Sequence, residues 1–381
     1  MRTPHRRAAA LGALLTTGVL LAACAQDTTA TGEPAAGGDA SAPVPAASQD
    51  EADVGEATAE APAPFDGDEP VQIALVQNSG AGDYFQQWTS GARKQTDAVG
   101  IEMQVYDAQA DNARQATDME VAIGSGVDGI IVDHGQADTM CPLINDALDA
   151  GLPVVVYDIE VSECAPEAVE TAQSDADLAT LILDKMAEDL GADQPVGYVN
   201  VLGIAPLDRR HAVWEEVVAE QGWSQDFFVG EFTNSVATDN ARLVDAALKA
   251  NPGVAGIFAP YDELTKGAVS AVRSNGLEGS IKVYGVDIST ADIEIMTAEG
   301  SPWVATATTD PNAIGAAVVR VMALELAGEL AEREVVFPGT LVTQDFLREE
   351  GIQNLEALRG VMPELSMTDV ATADWIPAIS F

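Results

Sequence analysis

Two apolar strands that close on aspartate occur twice in this chain, and each copy is separated from its counterpart by the same number of residues. Gly129-Ile130-Ile131-Val132-Asp133 is answered by Gly256-Ile257-Phe258-Ala259-Pro260-Tyr261-Asp262, and Pro153-Val154-Val155-Val156-Tyr157-Asp158 by Lys282-Val283-Tyr284-Gly285-Val286-Asp287. The carboxylates differ by 262 − 133 = 129 and 287 − 158 = 129. An equal shift at two separate strands implies one α/β unit present twice. Apolar runs of this kind fit parallel strands buried on both faces. Ligands of such sheets bind beyond the carboxyl ends of the strands, where all four aspartates fall. The repeat therefore points to a cleft between two similar lobes.

Strands and helices alternate at the spacing of βαβ units between about residues 71 and 345. In the first half the pattern predicts strands near Val71–Gln77, Met103–Asp107, Gly129–Asp133 and Pro153–Asp158, joined by helices near Phe85–Val99, Ala113–Gly124 and Asp138–Ala150. In the second half it predicts strands near Gly197–Leu202, Phe227–Phe232, Gly256–Ala259 and Val283–Val286, with helices near Arg210–Gln221, Asp239–Ala250, Glu263–Asn275 and Ala291–Glu299. The fold class is α/β, with two doubly wound parallel-sheet lobes.

Ahead of this body, residues 1–24 read as a bacterial lipoprotein leader. Arg2, Arg6 and Arg7 precede a short apolar stretch ending in Leu21-Ala22-Ala23-Cys24, whose cysteine would become the lipidated first residue. The stretch is too short to favour a spanning helix. Residues 25–70 are mostly Ala, Pro, Gly, Thr, Ser, Asp and Glu, with no lysine or arginine between Arg7 and Arg93, and are expected to form a disordered tether. The formal charge of −43 argues against nucleic-acid binding by phosphate neutralisation and against electrostatic adhesion to anionic lipid, leaving the lipid on Cys24 as the expected membrane contact. After Cys24 only Cys141 and Cys164 remain, each following an expected strand, and the two strands are neighbours in the sheet. An exported chain is expected to join them as a disulfide; two unpaired thiols are the alternative.

Several segments taken in order resemble the type I periplasmic binding proteins of the ribose and galactose class, the sugar-binding components of ABC importers. The resemblance covers about residues 71–345. It is carried by Ile73-Ala74-Leu75-Val76 followed by Tyr84-Phe85 and Ser90-Gly91-Ala92; by Asp107-Ala108-Gln109 with Ala113 through Val127-Asp128-Gly129-Ile130-Ile131-Val132; by Gly151-Leu152-Pro153-Val154-Val155; by Phe258-Ala259 with Asp262-Glu263 and Gly267-Ala268; and by Val283-Tyr284-Gly285-Val286-Asp287. It implies three crossings between lobes, near Ala172, Thr309 and Phe337, that together form a hinge. The N-terminal lobe would then hold 71–171 plus 309–337 and the C-terminal lobe 172–308 plus 338–345. Residues 346–381 extend past the family's usual end, with Trp375-Ile376-Pro377 expected to pack on the body.

The resemblance also implies a site. Tyr84 and Phe85 fall where the family places ring-stacking aromatics, with Asp83 just before them. Asp158 matches an aspartate that takes sugar hydroxyls, Arg210 an arginine from the opposite lobe, and Asp287 a further hydroxyl acceptor. Tyr261 and Thr309 occupy positions where the family commonly has amide side chains. Asp133 and His134 follow from the strand-end argument alone, and Asp262, the remaining repeated aspartate, also reads as a helix cap. Arg210 also reads as a partner for Asp208. Ionised carboxylates accept from adjacent hydroxyls while aromatic faces cover the C–H surface of a sugar.

Two departures bear on the ligand. Ile159 stands where the family often has arginine, and no aromatic occurs at Ser235-Val236-Ala237. These departures weigh against an ordinary pyranose and leave a smaller furanose, a linear polyol, an inositol or a cationic polar ligand compatible. No cofactor and no metal site are expected, since no His and Cys cluster has ligand spacing, and the absence of a nucleophile elbow or P-loop argues against an enzyme. The expected function is capture of a small hydroxylated solute, a monosaccharide, polyol or inositol, by a monomeric body at the extracytoplasmic face, with delivery to an ABC permease. The alternative is a sensor that presents its closed form to a chemoreceptor or sensor kinase.

Overall fold

The structure, a computed structural model, describes residues 53–381. The leader, Cys24 and the tether up to residue 52 lie outside the described residues. A short strand β1 (Asp53–Val54) precedes a first α/β unit: β2 (Val71–Gln77), α1 (Asp83–Val99), β3 (Ile101–Asp107), α2 (Asn112–Gly124), β4 (Gly129–Asp133), α3 (Ala137–Asp149), β5 (Val154–Tyr157) and β6 (Val169–Gln173). The second unit runs through α4 (Asp175–Leu190), β7 (Pro195–Val199), α5 (Ala205–Gln221), β8 (Ser224–Val229), α6 (Val236–Ala250), β9 (Gly256–Ala259), α7 (Asp262–Ser274), β10 (Lys282–Val286), α8 (Thr290–Thr297) and β11 (Trp303–Thr308). The chain then forms α9 (Pro311–Ala327), β12 (Glu334–Phe337), β13 (Thr340–Thr343), α10 (Gln344–Glu349), α11 (Leu355–Val361) and β14 (Ile379–Ser380).

Two six-stranded sheets result, ordered β12-β6-β5-β4-β2-β3 and β13-β11-β10-β9-β7-β8. All pairings in them are parallel except β13 with β11, which is antiparallel. Side-chain alternation explains the double cover. Ile73, Leu75, Ile131 and Val155 enter one apolar core, while Ala74, Val76, Ile130, Val132, Val154 and Val156 enter another on the opposite face. Each fully buried Val, Leu or Ile stabilises by about 1.5–3 kcal/mol, so both faces resist exposure. The chain passes between the sheets three times, from β6 to α4, from β11 to α9 and from β12 to β13.

Several boundaries differ from the sequence pattern. Helix α5 begins at Ala205 rather than near Arg210, because Pro206 is tolerated in a first turn, whose N–H groups have no intrahelical partner. Helix α9 is buried around its whole circumference from Pro311 to Leu324, so its sequence shows no amphipathic period. The repeat is also only half structural. Asp158 and Asp287 are equivalent: each directly follows its strand, has positive φ (54° and 74°), and sends its N–H to the next strand, at Thr171 O and Ala307 O. Asp133 and Asp262 are not, for Asp133 ends β4 while Asp262 is the first residue of α7.

The expected disordered tether does not hold for residues 53–70. Strand β1 pairs antiparallel with β14, Thr58 N–H donates to Asp374 O at 2.7 Å, and the Phe65 and Trp375 rings lie 4.9 Å apart. Composition could not foresee this, because the partners lie some 300 residues away. The C-terminal segment reaches both lobes. Gln344 Nε2 donates to three carbonyls of the second lobe, at Met296, Ser301 and Trp303. Arg359 then pairs with the buried Asp310, the N-cap of α9 at a crossing, at 2.5 and 3.0 Å. Beyond it Arg320 of α9 donates to Met367 O and Val370 O, and Gln95 of α1 to Pro377 O. Breaking a buried pair leaves a buried charge and typically costs about 3–5 kcal/mol. Arg359→Met is therefore expected to lower the unfolding free energy by that amount and the denaturation midpoint with it; an unchanged midpoint would show that this strap adds no stability.

Cys141, inside α3, is bonded to Cys164 in the loop after β5, with Cα atoms 5.9 Å apart. Asn145 Nδ2 bridges the carbonyls of both cysteines at 2.9 Å.

Candidate functional site

A cavity of about 220 Å³ lies between the carboxyl ends of the two sheets. Tyr84 and Phe85 enter it from the first turn of α1, His134 from the residue after β4, and Gln173 from the end of β6. Arg210 enters from α5, Tyr261 from the residue before α7, and Asp287 from the residue after β10. Four non-glycine residues here, Ala110, His134, Asp158 and Asp287, are left-handed, with φ of 62°, 54°, 54° and 74°. Such backbone costs of order 1–3 kcal/mol each and persists where surrounding structure enforces it, so strain is concentrated at this rim.

Asp287 is only 3 % exposed. Its Oδ2 lies 3.9 Å from Arg210 Nη1, and its Oδ1 has no hydrogen-bond partner. Burial pushes this carboxyl up to about 7, against the pull of the Arg210 guanidinium. Arg210 is oriented from behind, with Nε donating to Asp175 Oδ1 at 2.7 Å and Nη1 to Pro260 O at 2.6 Å. Burial disfavours its charge, but Asp175, then Asp287 and Asp158, hold it cationic. The neighbouring Arg209 spans the lobes: Nη2 donates to Asp158 Oδ1 at 3.0 Å and Nε to Asp175 Oδ2 at 2.8 Å.

His134 Nδ1 lies 2.6 Å from Asp133 Oδ1 and its Nε2 lies 3.8 Å from Asp158 Oδ2. Burial draws the imidazole pKa down, but the Asp133 carboxylate, with Asp158 and Asp175, together more than offset this, so the net movement is upward. The Tyr84 and Tyr157 hydroxyls share a short hydrogen bond, and burial raises both well above the ordinary phenol value. The cleft thus combines unpartnered carboxylate oxygens, a fixed guanidinium and phenol hydroxyls with the rings of Phe85, Tyr261 and Phe232. Phe85 lies 6.3 Å from Tyr261, and Phe232 6.4 Å from it.

Of the residues singled out from sequence, Tyr84, Phe85, His134, Arg210, Tyr261 and Asp287 line the cavity directly. Asp133 and Asp158 are buried behind this lining as partners of His134 and Arg209. Thr309 Oγ1 donates to Gln173 Oε1 at 2.7 Å, tying two crossings together rather than lining the cavity. Asp83 and Asp262 belong to a separate cluster. Lys266 Nζ lies 2.7 Å from Asp83, 3.1 Å from Asp262, 2.8 Å from Glu263 and 3.2 Å from Asp292. The carboxylate oxygens of Asp83, Asp262 and Asp292 lie within 4.8 Å of one another, and the ammonium sits among them. Since Asp83 opens α1 and Lys266 lies on α7, this cluster joins the lobes beside the cavity.

Ile159 carries no guanidinium, and Arg209 of the other lobe reaches Asp158 behind the cavity lining rather than the cavity itself. The second-lobe aromatic absent at 235–237 is supplied by Phe232, which stands just after β8. Arg210 pairs with Asp175 rather than Asp208, whose carboxylate instead accepts from the Gly203 N–H at 3.0 Å. Sequence reasoning missed Arg209, Gln173, Phe232 and the cavity-lining Asn78 and Asn112. Asn78, directly after β2, could have been found by its strand-end position; for Arg209 adjacency to Arg210 was the only signal.

This architecture and its interlobe cavity define a solute-binding protein, and sequence comparison agrees. Residues 73–330 match the periplasmic binding protein domain family, and the chain belongs to it. It is a binding protein rather than an enzyme. A D-ribose/D-allose-binding protein of Pseudomonas aeruginosa is 28 % identical over 299 residues, 72 % of this chain and 89 % of that protein. The ribose import binding protein of Escherichia coli is 25 % identical over 259 residues, 68 % of this chain and 85 % of that one. Among solved structures, a 5-methylthioribose transporter solute-binding protein from Thermotoga lettingae, in complex with 5-methylthioribose, is 35 % identical with a TM-score of 0.78. That likeness covers 80 % of this chain and 97 % of the other.

Proposed function

We propose that this protein captures a small hydroxylated solute, a monosaccharide, polyol or inositol, between its two lobes at the outer face of the membrane and delivers it to an ABC permease. The observation that carries the reading is Asp287 Oδ1. It is a buried carboxylate oxygen without a donor, on a residue that lines the cavity beside Arg210, Tyr84 and Phe85. A buried acceptor left unpaired is costly, and a ligand hydroxyl would satisfy it with a charge-assisted hydrogen bond. The relatives named for ribose, allose and 5-methylthioribose, all hydroxylated, support the same chemistry. Contributions from both lobes mean that the ligand favours the closed arrangement, the differential affinity that domain closure requires.

Cys24 would carry the lipid that keeps the body at the membrane, and one body would act alone. The test is a thermal-shift and calorimetric screen of the full chain, refolded to strip carried ligand, against pentoses, hexoses, inositols and linear polyols. A ligand at ~100 times its dissociation constant adds roughly 2.7 kcal/mol and raises the midpoint by several degrees. A flat response from a folded sample across the whole panel would overturn the reading.

A further inference from the structure

The cavity lining is polar along several segments, with Asn78, Asn112, Gln136 and Gln173 among its residues, and aliphatic along one. Gln173 is bonded to Thr309 at a crossing, and Asp287, Arg210, Tyr84 and His134 add further polar groups to the lining. The aliphatic wall comes from the chain between β7 and α5. Val201, Leu202, Ile204, Pro206 and Leu207 all line the cavity, and no side chain from residue 201 to 207 can form a hydrogen bond. Phe232 adds a ring from the following strand–helix connection. Strand-end loops around a sugar would supply donors and acceptors; this one supplies methyl groups.

The wall is held in place. Gly203, with φ of 89°, has its N–H accepted by both Asp208 carboxylate oxygens at 3.0 and 3.1 Å, which braces the turn into α5. Leu207 lies one helical turn before Arg210, so the apolar wall adjoins the guanidinium on one helix face. Leu202 is nevertheless 52 % exposed, one of the few large apolar side chains so exposed. Gly203, Gly135 and Gln136 line both the cavity and the open groove beyond it, which places this loop at the mouth. Apolar surface at the mouth of a binding cavity gains from being covered.

Charge narrows the choice of cover. The carboxylates of Asp133, Asp158, Asp175 and Asp287 outnumber the guanidiniums of Arg209 and Arg210, and Asp175 already occupies both guanidiniums. An anionic group such as a phosphate would meet a carboxylate excess, whereas an uncharged group would not.

We propose that the solute has a hydroxylated, sugar-sized head bound at Asp287 and a short uncharged apolar substituent, alkyl or alkylthio, seated against Val201, Leu202, Ile204, Leu207 and Phe232. This rests on the hydroxylated-solute reading and specifies its ligand class. The test is calorimetry of the full chain against ribose, 5-methylthioribose and ribose 5-phosphate, in the native protein and in Leu202→Ser. The half-exposed side chain makes folding of the variant a modest demand, and its unliganded melting point checks this.

The expected result is that the methylthio sugar binds at least tenfold more tightly than ribose, that the phosphate ester binds most weakly, and that Leu202→Ser narrows the ratio between the first two. Ribose binding as tightly as its methylthio derivative, or a ratio unmoved by the substitution, would overturn the apolar seat while leaving sugar capture standing. Binding of none of the three, nor of any other sugar or polyol, would overturn both.

Discussion

Asp287→Asn is expected to weaken solute binding by about thirtyfold or more and, at pH 8, to raise the melting temperature of the unliganded protein. Both effects come from one carboxylate. In the ligand-free cleft Oδ1 has no donor and Oδ2 meets only Arg210 at 3.9 Å, while burial lifts the group from its ordinary value of 3.8 to about 7. A carboxyl whose folded-state pKa is raised contributes stability that is fully present below 3.8 and is lost as pH rises through about 7. Above pH 7 the empty protein therefore carries an ionised group that the fold disfavours, at roughly 1.4 kcal/mol per pH unit of displacement. Asparagine removes that charge and leaves Arg210 paired with Asp175.

The ligand reverses the sign. A hydroxyl that donates to Oδ1 favours the ionised form, so affinity should rise with pH up to about 7 and level off above it. Below about 7 it should fall towards tenfold per pH unit. Losing a buried charge-assisted partner typically costs roughly 2–5 kcal/mol, a loss of about thirtyfold or more. Calorimetric titrations from pH 5 to 8.5, with melting curves of both proteins, check this. Equal melting temperatures at pH 8 would show that Asp287 is not strained in the empty cleft, and unchanged affinity would remove it from the site.

Asp287 was legible because its position follows from the fold. A parallel strand buried on both faces gives a continuous apolar run, and the first polar residue after it stands at the sheet's carboxyl end. Val286-Asp287 and Tyr157-Asp158 share that logic and share their left-handed backbone. Asp262 passed the same test by number alone, yet β9 ends at Ala259, and the intervening Pro260-Tyr261 carry the chain into a helix. What was illegible depended on distant partners. Arg209 and Arg210 are adjacent, and only the approach of Asp158 and Asp175 separates their tasks. Phe232 falls in the connection after the edge strand β8, where nothing local distinguishes a ligand contact from a loop residue. Val54 and Phe65 lie in a stretch whose composition reads as disordered, and their order comes from residues 374–380. Helix α9 gave no amphipathic signal because all its sides are buried, by the strands β4 and β5, the C-terminal segment and, in closest contact, helix α1.

That contact sets the second large expectation, Gly315→Ala. Helices α1 and α9 touch backbone to backbone through two glycines. A Cβ on Gly315 would lie 2.0 Å from Trp88 O and 3.0 Å from Ala92 N, and one on Gly91 would lie 1.9 Å from Asn312 O. No rotamer change relieves a clash with a main-chain oxygen, so the helices must separate, although α9 is enclosed from Pro311 to Leu324. Overpacking costs typically 1–3 kcal/mol and occasionally more; alanine's helix propensity returns only about 1 kcal/mol. The clash wins, with an expected net loss of about 2 kcal/mol or more. The same exchange at Gly124 of α2, where a Cβ would meet nothing within 4 Å, should stabilise by up to about 1 kcal/mol. Denaturant midpoints of the two variants should move in opposite directions, and movement in one direction would refute the contact. Separation should also reach the cleft, because α1 opens with Asp83, Tyr84 and Phe85 and its first turn forms part of the cavity wall. Gly315→Ala is therefore expected to weaken solute binding from a position outside the cavity lining, whereas Gly124→Ala should leave affinity unchanged.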